Sequence, residues 1–423
     1  MSLQKKIAGF IFDFIDNRRG MNEYVALPKK VKKSFLEVRE WVKQEAQPMV
    51  DKIDAAPHDE VNLKWEILKK GAKINLLTMM LPGIYGGKSS MLDLLRYGSL
   101  TFLPFVEELS ACSPGIATLF GAHYLGIMPI QFCMDVLLGR RLLKPIVEAE
   151  RAGNPKLVAF AITEPGAGSD VEDTEGGEKA HLGTFAKKVS GGYVLNGRKQ
   201  FISDGNMASL VTVFACLDRE KGIHSWTCFA VTSDMKGFSV GRVEDKMGQR
   251  ASPAAELIFE DVFIPDKNLV GRENDGWRLN TLTLDTSRGP VGGIAIGAAK
   301  AALKQAIEFA EEKGLINDRS IQLELADMIG RFESARSLLW RSCGTFPPLE
   351  YLSAIAKFTA SDTAMDICSR TIDLMGEEGG LRRRTVERLY RDVKLTQIYE
   401  GTNQINRLAV AEDYIIKKKR EIL

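Results

Sequence analysis

The stretch Lys187-Lys-Val-Ser-Gly-Gly-Tyr-Val-Leu-Asn-Gly-Arg-Lys-Gln-Phe-Ile-Ser203 decides the fold class. Residues 187–190 and 193–195 flank Gly191-Gly192 and read as a β-hairpin, followed by Asn196-Gly197 and a further strand over 198–203. Three more β-type runs follow, at 210–217, 227–233 and 256–264, bounded by Gly, Pro and Asp. Several short strands spaced this way predict a compact β-barrel or sandwich of about 110 residues.

On both sides of this region the texture is helical. From about Lys29 to Ala152 amphipathic stretches dominate, chiefly 34–53 and 92–110, interrupted by the loop Leu81-Pro-Gly-Ile-Tyr-Gly-Gly-Lys88. From Gly276 helix returns, with apolar spacing through Val291, Ile294, Ala298 and Leu303, and continues to the C-terminus. The order all-α, all-β, all-α predicts an α+β chain and rules against an alternating Rossmann fold. The expected divisions are an amphipathic extension (1–28), a helical domain (29–155), a β domain (156–275) and a C-terminal helical domain (276–423). In the extension, Ile7, Phe10, Ile11, Phe14 and Ile15 fall on one helical face. That face is expected to dock on the body of the protein or on a sister subunit.

Composition narrows the function classes. The 423 residues hold 57 Lys+Arg against 55 Asp+Glu, so there is no bulk positive field for nucleic acid or an anionic membrane. The six cysteines are scattered without a CxxC pair or a His at zinc-ligand spacing. Reduced, buried thiols and no metal site are expected. No apolar run is long enough to span a bilayer, and Asp13 and Asp16 argue against a transit peptide. A cytoplasmic location is the expectation.

Three strings carry chemistry. Thr163-Glu-Pro-Gly-Ala-Gly-Ser-Asp170 is a Gly-rich loop whose backbone N–H groups and hydroxyls can meet an electron-rich ligand. It is neither a Walker A loop nor a Rossmann fingerprint, and taken alone a structural turn explains it equally well. Phe201 and Ser203, two apart on a strand, present an aromatic plane beside a hydroxyl, which suits a flat ring, although core packing alone is the first reading of Phe201. Glu400 follows a helix-like run and precedes Gly401, so its carboxylate is placed against the helix dipole.

In register, these strings resemble the acyl-CoA dehydrogenase family of flavoenzymes from about Leu36 to Glu412. Met247-Gly-Gln-Arg250, Phe259-Glu-Asp-Val262 with Ile264-Pro265, Leu284-Asp-x-x-Arg288 and Gln397-Ile-Tyr-Glu-Gly-Thr402 belong to the same set. The resemblance implies FAD between the β domain and the C-terminal helices. Phe160, Ile162, Thr163, Gly168 and Ser169 would meet the flavin edge and a phosphate. Phe201, where the family often has Trp, would cover one ring face, with Ser203 at its rim and Thr402 and Gln404 also on the cofactor. Ser169, Asp285, Arg288 and Gly401 match positions that line the acyl-CoA site.

Glu400 matches the family's catalytic base. By that resemblance it removes the α-proton of an acyl-CoA while the β-hydrogen leaves as hydride to flavin N5, giving a trans-2-enoyl-CoA. The developing enolate would be held by the FAD ribityl hydroxyl and the Glu400 N–H. Electrons would pass to electron-transferring flavoprotein, and a homotetramer or homodimer is expected. The usual Arg-x-x-Phe-Gly stretch is absent from the shortened segment Phe309–Ser320; Arg319 stands where a Gln is common and is the candidate for the lost phosphate contact. The basic run Arg382-Arg383-Arg384 reads first as a solvated loop, with a phosphate contact as the second reading. Gly121 and Ala122 leave room in the acyl pocket, and His123 and Tyr124 leave a polar substituent open. Two alternatives stand beside this reading: an O₂-using oxidase or monooxygenase of the same fold, and a non-catalytic binding or assembly paralogue.

Overall fold

The computed structural model describes residues 29–172 and 183–417, so the apolar face at Ile7–Ile15 lies outside the described residues. Helix α1 (Lys29–Trp41) passes through a wide turn (Val42–Ala46) and a tight one (Gln47–Met49) into α2 (Val50–Ala55). Pro48 sits in the tight turn. It has no N–H for the ladder, so the helix expected over 34–53 changes pitch there rather than stopping. After α3 (Asn62–Ala72), the helix expected over 92–110 is broken into α4 (Met91–Tyr97), a tight turn (Gly98–Thr101) and α5 (Leu103–Cys112). The break has a packing cause. Gly98 has φ +55, and a Cβ there would fall 2.5 Å from the Cys343 carbonyl oxygen. Helices α6 (Pro114–Phe132) and α7 (Val136–Arg151) complete this layer.

The middle layer is one eight-stranded sheet. Its strands are β1 (Leu157–Ala161), β2 (Phe185–Val189), β3 (Gly192–Ser203), β4 (Ala208–Cys216), β5 (Trp226–Thr232), β6 (Phe238–Val243), β7 (Ala254–Pro265) and β8 (Leu269–Val270). They run in the order β6-β7-β3-β2-β4-β5-β8, with β1 parallel to β4. β6 is exposed or half-exposed along its length, so no apolar run announced it.

The Gly191-Gly192 hairpin forms, but Asn196-Gly197 does not separate two strands. β3 continues through it as a bulge, with the register to β7 slipping between Leu195 and Gly197. Asn196 bonds across the slip: its amide donates to Asp261 (2.9 Å) and its carbonyl oxygen accepts from the Asp261 N–H (2.8 Å). A side chain supplies the pairing that the backbone loses there.

The last layer comprises α8 (Gly276–Glu312), α9 (Arg319–Cys343), α10 (Glu350–Met375), α11 (Thr385–Thr396) and α12 (Asn403–Val410). α8 lies against α5 at close range, because a Cβ on Gly297 would sit 2.4 Å from the Glu107 carbonyl oxygen. Beside that contact Arg336 of α9 makes a buried ion pair with Glu107 at 2.9 Å. The six cysteines are all free, five buried and Cys133 half-buried. No helix among the described residues is long and apolar enough to cross a membrane.

One buried charge pair anchors the sheet's functional edge. Lys199, with a side chain 0 % exposed, donates to Glu164 (2.7 Å) and to the Ile162 carbonyl (2.8 Å). Glu164 also accepts from the Thr184 N–H at 3.1 Å, so the loop after β1 is clamped to β2 and β3. Breaking such a pair strands a buried carboxylate. Lys199→Met should therefore cost about 3–5 kcal/mol, read as a lowered urea midpoint of the purified protein.

Candidate active site

Toward its end β3 bulges again. Its pairing with β7 slips between Lys199 and Ile202, and Phe201 takes φ +58. Gln200, outside the ladder, donates its N–H to the Thr163 carbonyl at 2.8 Å. The simple alternation expected of Phe201 and Ser203 is thus interrupted. Both still line one cleft of about 550 Å³, together with Phe160, Ile162, Thr163 and Leu284. Phe201 is 56 % exposed. A large ring held out on a strained backbone is a surface made for contact rather than a core residue.

Glu400 lines this cleft and also a second, mostly apolar one of about 500 Å³. The second cleft has walls from Phe102, Val106, Leu125, Val291 and Ile294. Helix α11 stops at Thr396, so Glu400 stands beyond the helix end rather than in its last turn. Glu400 and Gly401 are consecutive left-handed residues, φ +55 and +77. For a glutamate that conformation costs about 1–3 kcal/mol, which surrounding bonds must offset. Asn406 donates to the Gly401 carbonyl (2.8 Å), and Thr402 caps α12 by accepting from the Ile405 N–H (3.2 Å). The Thr402 N–H donates to the Ser169 hydroxyl at 3.1 Å, tying the Gly-rich loop to the Glu400 turn.

The carboxyl group of Glu400 accepts from the Ser287 hydroxyl at 2.7 Å. Burial holds its pKa above the ordinary glutamate value, opposed by that hydrogen bond and by the positive charges of Arg288 and Lys357. Arg288 is buried and paired with Asp285 at 2.9 Å. These two lie one turn apart on α8, beside Ser287, which faces the cleft.

Other expected residues fall elsewhere. Arg319 is exposed at the first turn of α9 and bonds Gln322 (3.1 Å), lining neither cleft. Gln404 is exposed on the first turn of α12. Gly168 donates its N–H to Asp170 at 2.7 Å. In the basic run, Arg384 is spent on Glu378 and Glu312, closing the loop onto the end of α8.

His123 and Tyr124 also change meaning. The His123 ring is buried, and its Nδ1 accepts from the Val158 N–H (3.1 Å). Tyr124 donates its hydroxyl to the Leu76 carbonyl (2.8 Å), so it shows the second, apolar cleft a ring. Three residues around the site were given no role in the sequence reading: Ser287, Tyr399 (quoted only as part of the string 397–402) and Lys357. Ser287 lies inside a quoted motif. Lys357 left a signal of its own, a lone lysine midway between Ser353 and Ser361 on the buried face of α10.

Family models cover almost all of this architecture. The acyl-CoA dehydrogenase N-terminal domain matches residues 33–150, the middle domain 159–262 and the C-terminal domain 274–415. The chain belongs to the acyl-CoA dehydrogenase family. It is 37% identical over 316 residues to the short-chain specific acyl-CoA dehydrogenase of Megasphaera elsdenii, covering 72% of this chain and 79% of that one. A chain solved in work on the electron transferring flavoprotein of Acidaminococcus fermentans superposes with TM-score 0.82 at 31% identity. The match covers 92% of this chain and 98% of that one. An acyl-CoA dehydrogenase from Bacillus anthracis, solved in complex with FAD, superposes with TM-score 0.81 at 26% identity, covering 94% and 70% of the two chains.

Ser287 stabilises the ionised form of Glu400, so its removal must raise the pKa further. Ser287→Ala should shift the acid limb of the pH–rate profile to higher pH, with the alkaline limb unmoved. The check is kcat measured across pH with a saturating acyl-CoA.

Proposed function

We propose that this acyl-CoA dehydrogenase family member removes hydrogen from the α and β carbons of an acyl-CoA thioester, giving a trans-2-enoyl-CoA, with Glu400 as the base. The observation that carries the reading is one half-buried carboxyl group shared by two adjoining clefts. The first cleft suits FAD. It offers the exposed Phe201 ring, the Thr163 and Ser203 hydroxyls, and the apolar edges of Phe160 and Ile162. In the adjoining loop, a Cβ on Gly166 would meet no protein atom within 4 Å, which leaves open space beside the backbone for a phosphate. Ser169 accepts from Thr402 and so keeps its own hydrogen to donate to a ligand. When bound, FAD supplies the acceptor for the β-hydrogen as hydride.

The protein's part is the proton. Glu400 must be ionised to take it yet basic enough to hold it, and burial against Ser287 and two nearby cations sets that balance. The apolar walls exclude water from the carboxyl group, so the thioester α-carbon meets it without competition. Among the described residues Glu400 is the one carboxyl group on the acyl-side walls, and the Tyr124 hydroxyl is already bonded to the backbone. An uncharged hydrocarbon acyl group is therefore the substrate class. Electron-transferring flavoprotein as acceptor agrees with the similarity to the chain from the Acidaminococcus fermentans work. Arg319, exposed and lining neither cleft, would meet the FAD of a neighbouring subunit in a homotetramer or homodimer.

Anaerobic titration with saturated acyl-CoAs tests the assignment. The wild-type flavin should bleach, and Glu400→Gln should slow bleaching by at least roughly 10²–10⁴-fold. Bleaching at the wild-type rate in the variant would remove Glu400 from the role. A second test concerns the pocket. A Cβ on Gly121 meets nothing within 4 Å and points into open cleft. Gly121→Leu should lower kcat/KM for branched or long acyl-CoAs while butyryl-CoA turnover changes little.

A further inference from the structure

Behind the Glu400 turn lies a lysine with no solvent exposure. Lys357, on the buried face of α10, donates to the Gly401 carbonyl (2.7 Å) and to the Asn403 side-chain oxygen (3.0 Å). Asn403 is held in turn, its amide donating to Ser361 (2.9 Å) and Asp362 (2.7 Å). An ammonium taken wholly out of water is expensive and persists only where its partners compensate for the lost hydration. Here those partners are the backbone and the cap of the turn that carries Glu400. Gly401 and Glu400 form the left-handed pair, and the carbonyl between Gly401 and Thr402 is the one that Lys357 grips.

We propose that Lys357 is the positioning residue of this turn, its ammonium holding the Gly401 carbonyl so that Glu400 stays in left-handed backbone against Ser287. The role rests on the reading of Glu400 as the base. Its charge has a second consequence. The ionisable groups facing Glu400 are Arg288, with Asp285 bound to it, from α8, Lys357 from α10, and Tyr399 on its own loop. The two cations favour the carboxylate against burial. Removing one of them raises the proton affinity of Glu400.

Two holoenzyme variants separate position from charge. Lys357→Met loses both; Lys357→Gln keeps an N–H donor and loses the charge. FAD content, binding of a non-oxidisable thioether acyl-CoA, and kcat against pH are measured for each. Both variants should keep FAD and bind the thioether within about threefold of wild type, since neither side chain touches the ligands. Lys357→Met should lose about 10–100-fold in kcat through misplacement of the base, and Lys357→Gln less. The acid limb should move to higher pH in both. A limb and kcat within twofold of wild type in both variants would overturn the proposal. Loss of FAD from Lys357→Gln would mark a merely structural residue and overturn it too. If Lys357→Met does not fold, the acid limb of Lys357→Gln decides alone. Glu400→Gln, run in parallel, keeps the two readings apart. Bleaching in that variant defeats the base assignment, whereas an inert Glu400→Gln beside wild-type-like Lys357 variants defeats only the role of Lys357.

Discussion

The carboxamide of Gln249 is where the three layers are fastened to one another. Its N–H and its side-chain amide donate to Asp392 of α11, the amide also reaches the Tyr399 hydroxyl (3.3 Å), and its oxygen accepts from Thr118 of α6 (2.8 Å). Next to it Arg250 donates to the Asp54 and Ala56 carbonyls, carrying the same connection to the end of α2. An amide can do this because it is donor and acceptor at once, and a buried network with every member paired admits one arrangement. Thr118 and Tyr399 are also walls of the apolar cleft beside Glu400. The packing of domains and the shape of the cleft therefore share the same few bonds.

Backbone strain collects around that junction. Phe201, Asp204, Gln249 and Glu400 all have positive φ without being glycine. Each is held by something specific: the Gln200–Thr163 bond beside Phe201, the Asp204 N–H to the Pro253 carbonyl (2.7 Å), Asp392 under Gln249, and Asn406 under the Glu400 turn. Such positions persist only where the surroundings over-determine them, and they aim side chains where regular strand or helix would not. The interrupted end of β3 and the turn beyond α11 come together across one cleft for that reason.

Charge is handled by the same economy of placement. A net charge of +2 is a sum over the whole chain and hides single cations buried in its interior. Lys199, Lys357, Arg288 and Arg336 are each almost inaccessible and each bonded to a defined partner. Arg384, by contrast, belongs to a conspicuous basic run yet serves to join its loop to the end of α8. Runs of like charge draw the eye in a sequence, while single buried cations fix the packing around them.

The α+β class, the layer order and the strings around Thr163, Phe201 and Glu400 were determined by the sequence alone. They rest on local properties: apolar periodicity, Gly and Pro punctuation, and short motifs kept in register. The pitch change at Pro48, the break at Gly98 and the bulge at Asn196-Gly197 were not determined there, because each depends on a partner distant in the chain. Gly98 turns to pass the Cys343 carbonyl, and Asn196 stays in its strand because Asp261 is across from it. The same holds at the site. Tyr124 lost its polar role to the Leu76 carbonyl, Arg319 came to rest on the surface, and Lys357 entered from behind to hold a carbonyl 44 positions away in the chain. Only the tertiary structure could decide these, since a hydrogen bond is a matter of distance in space and the periodicities of a sequence record only which face a residue presents.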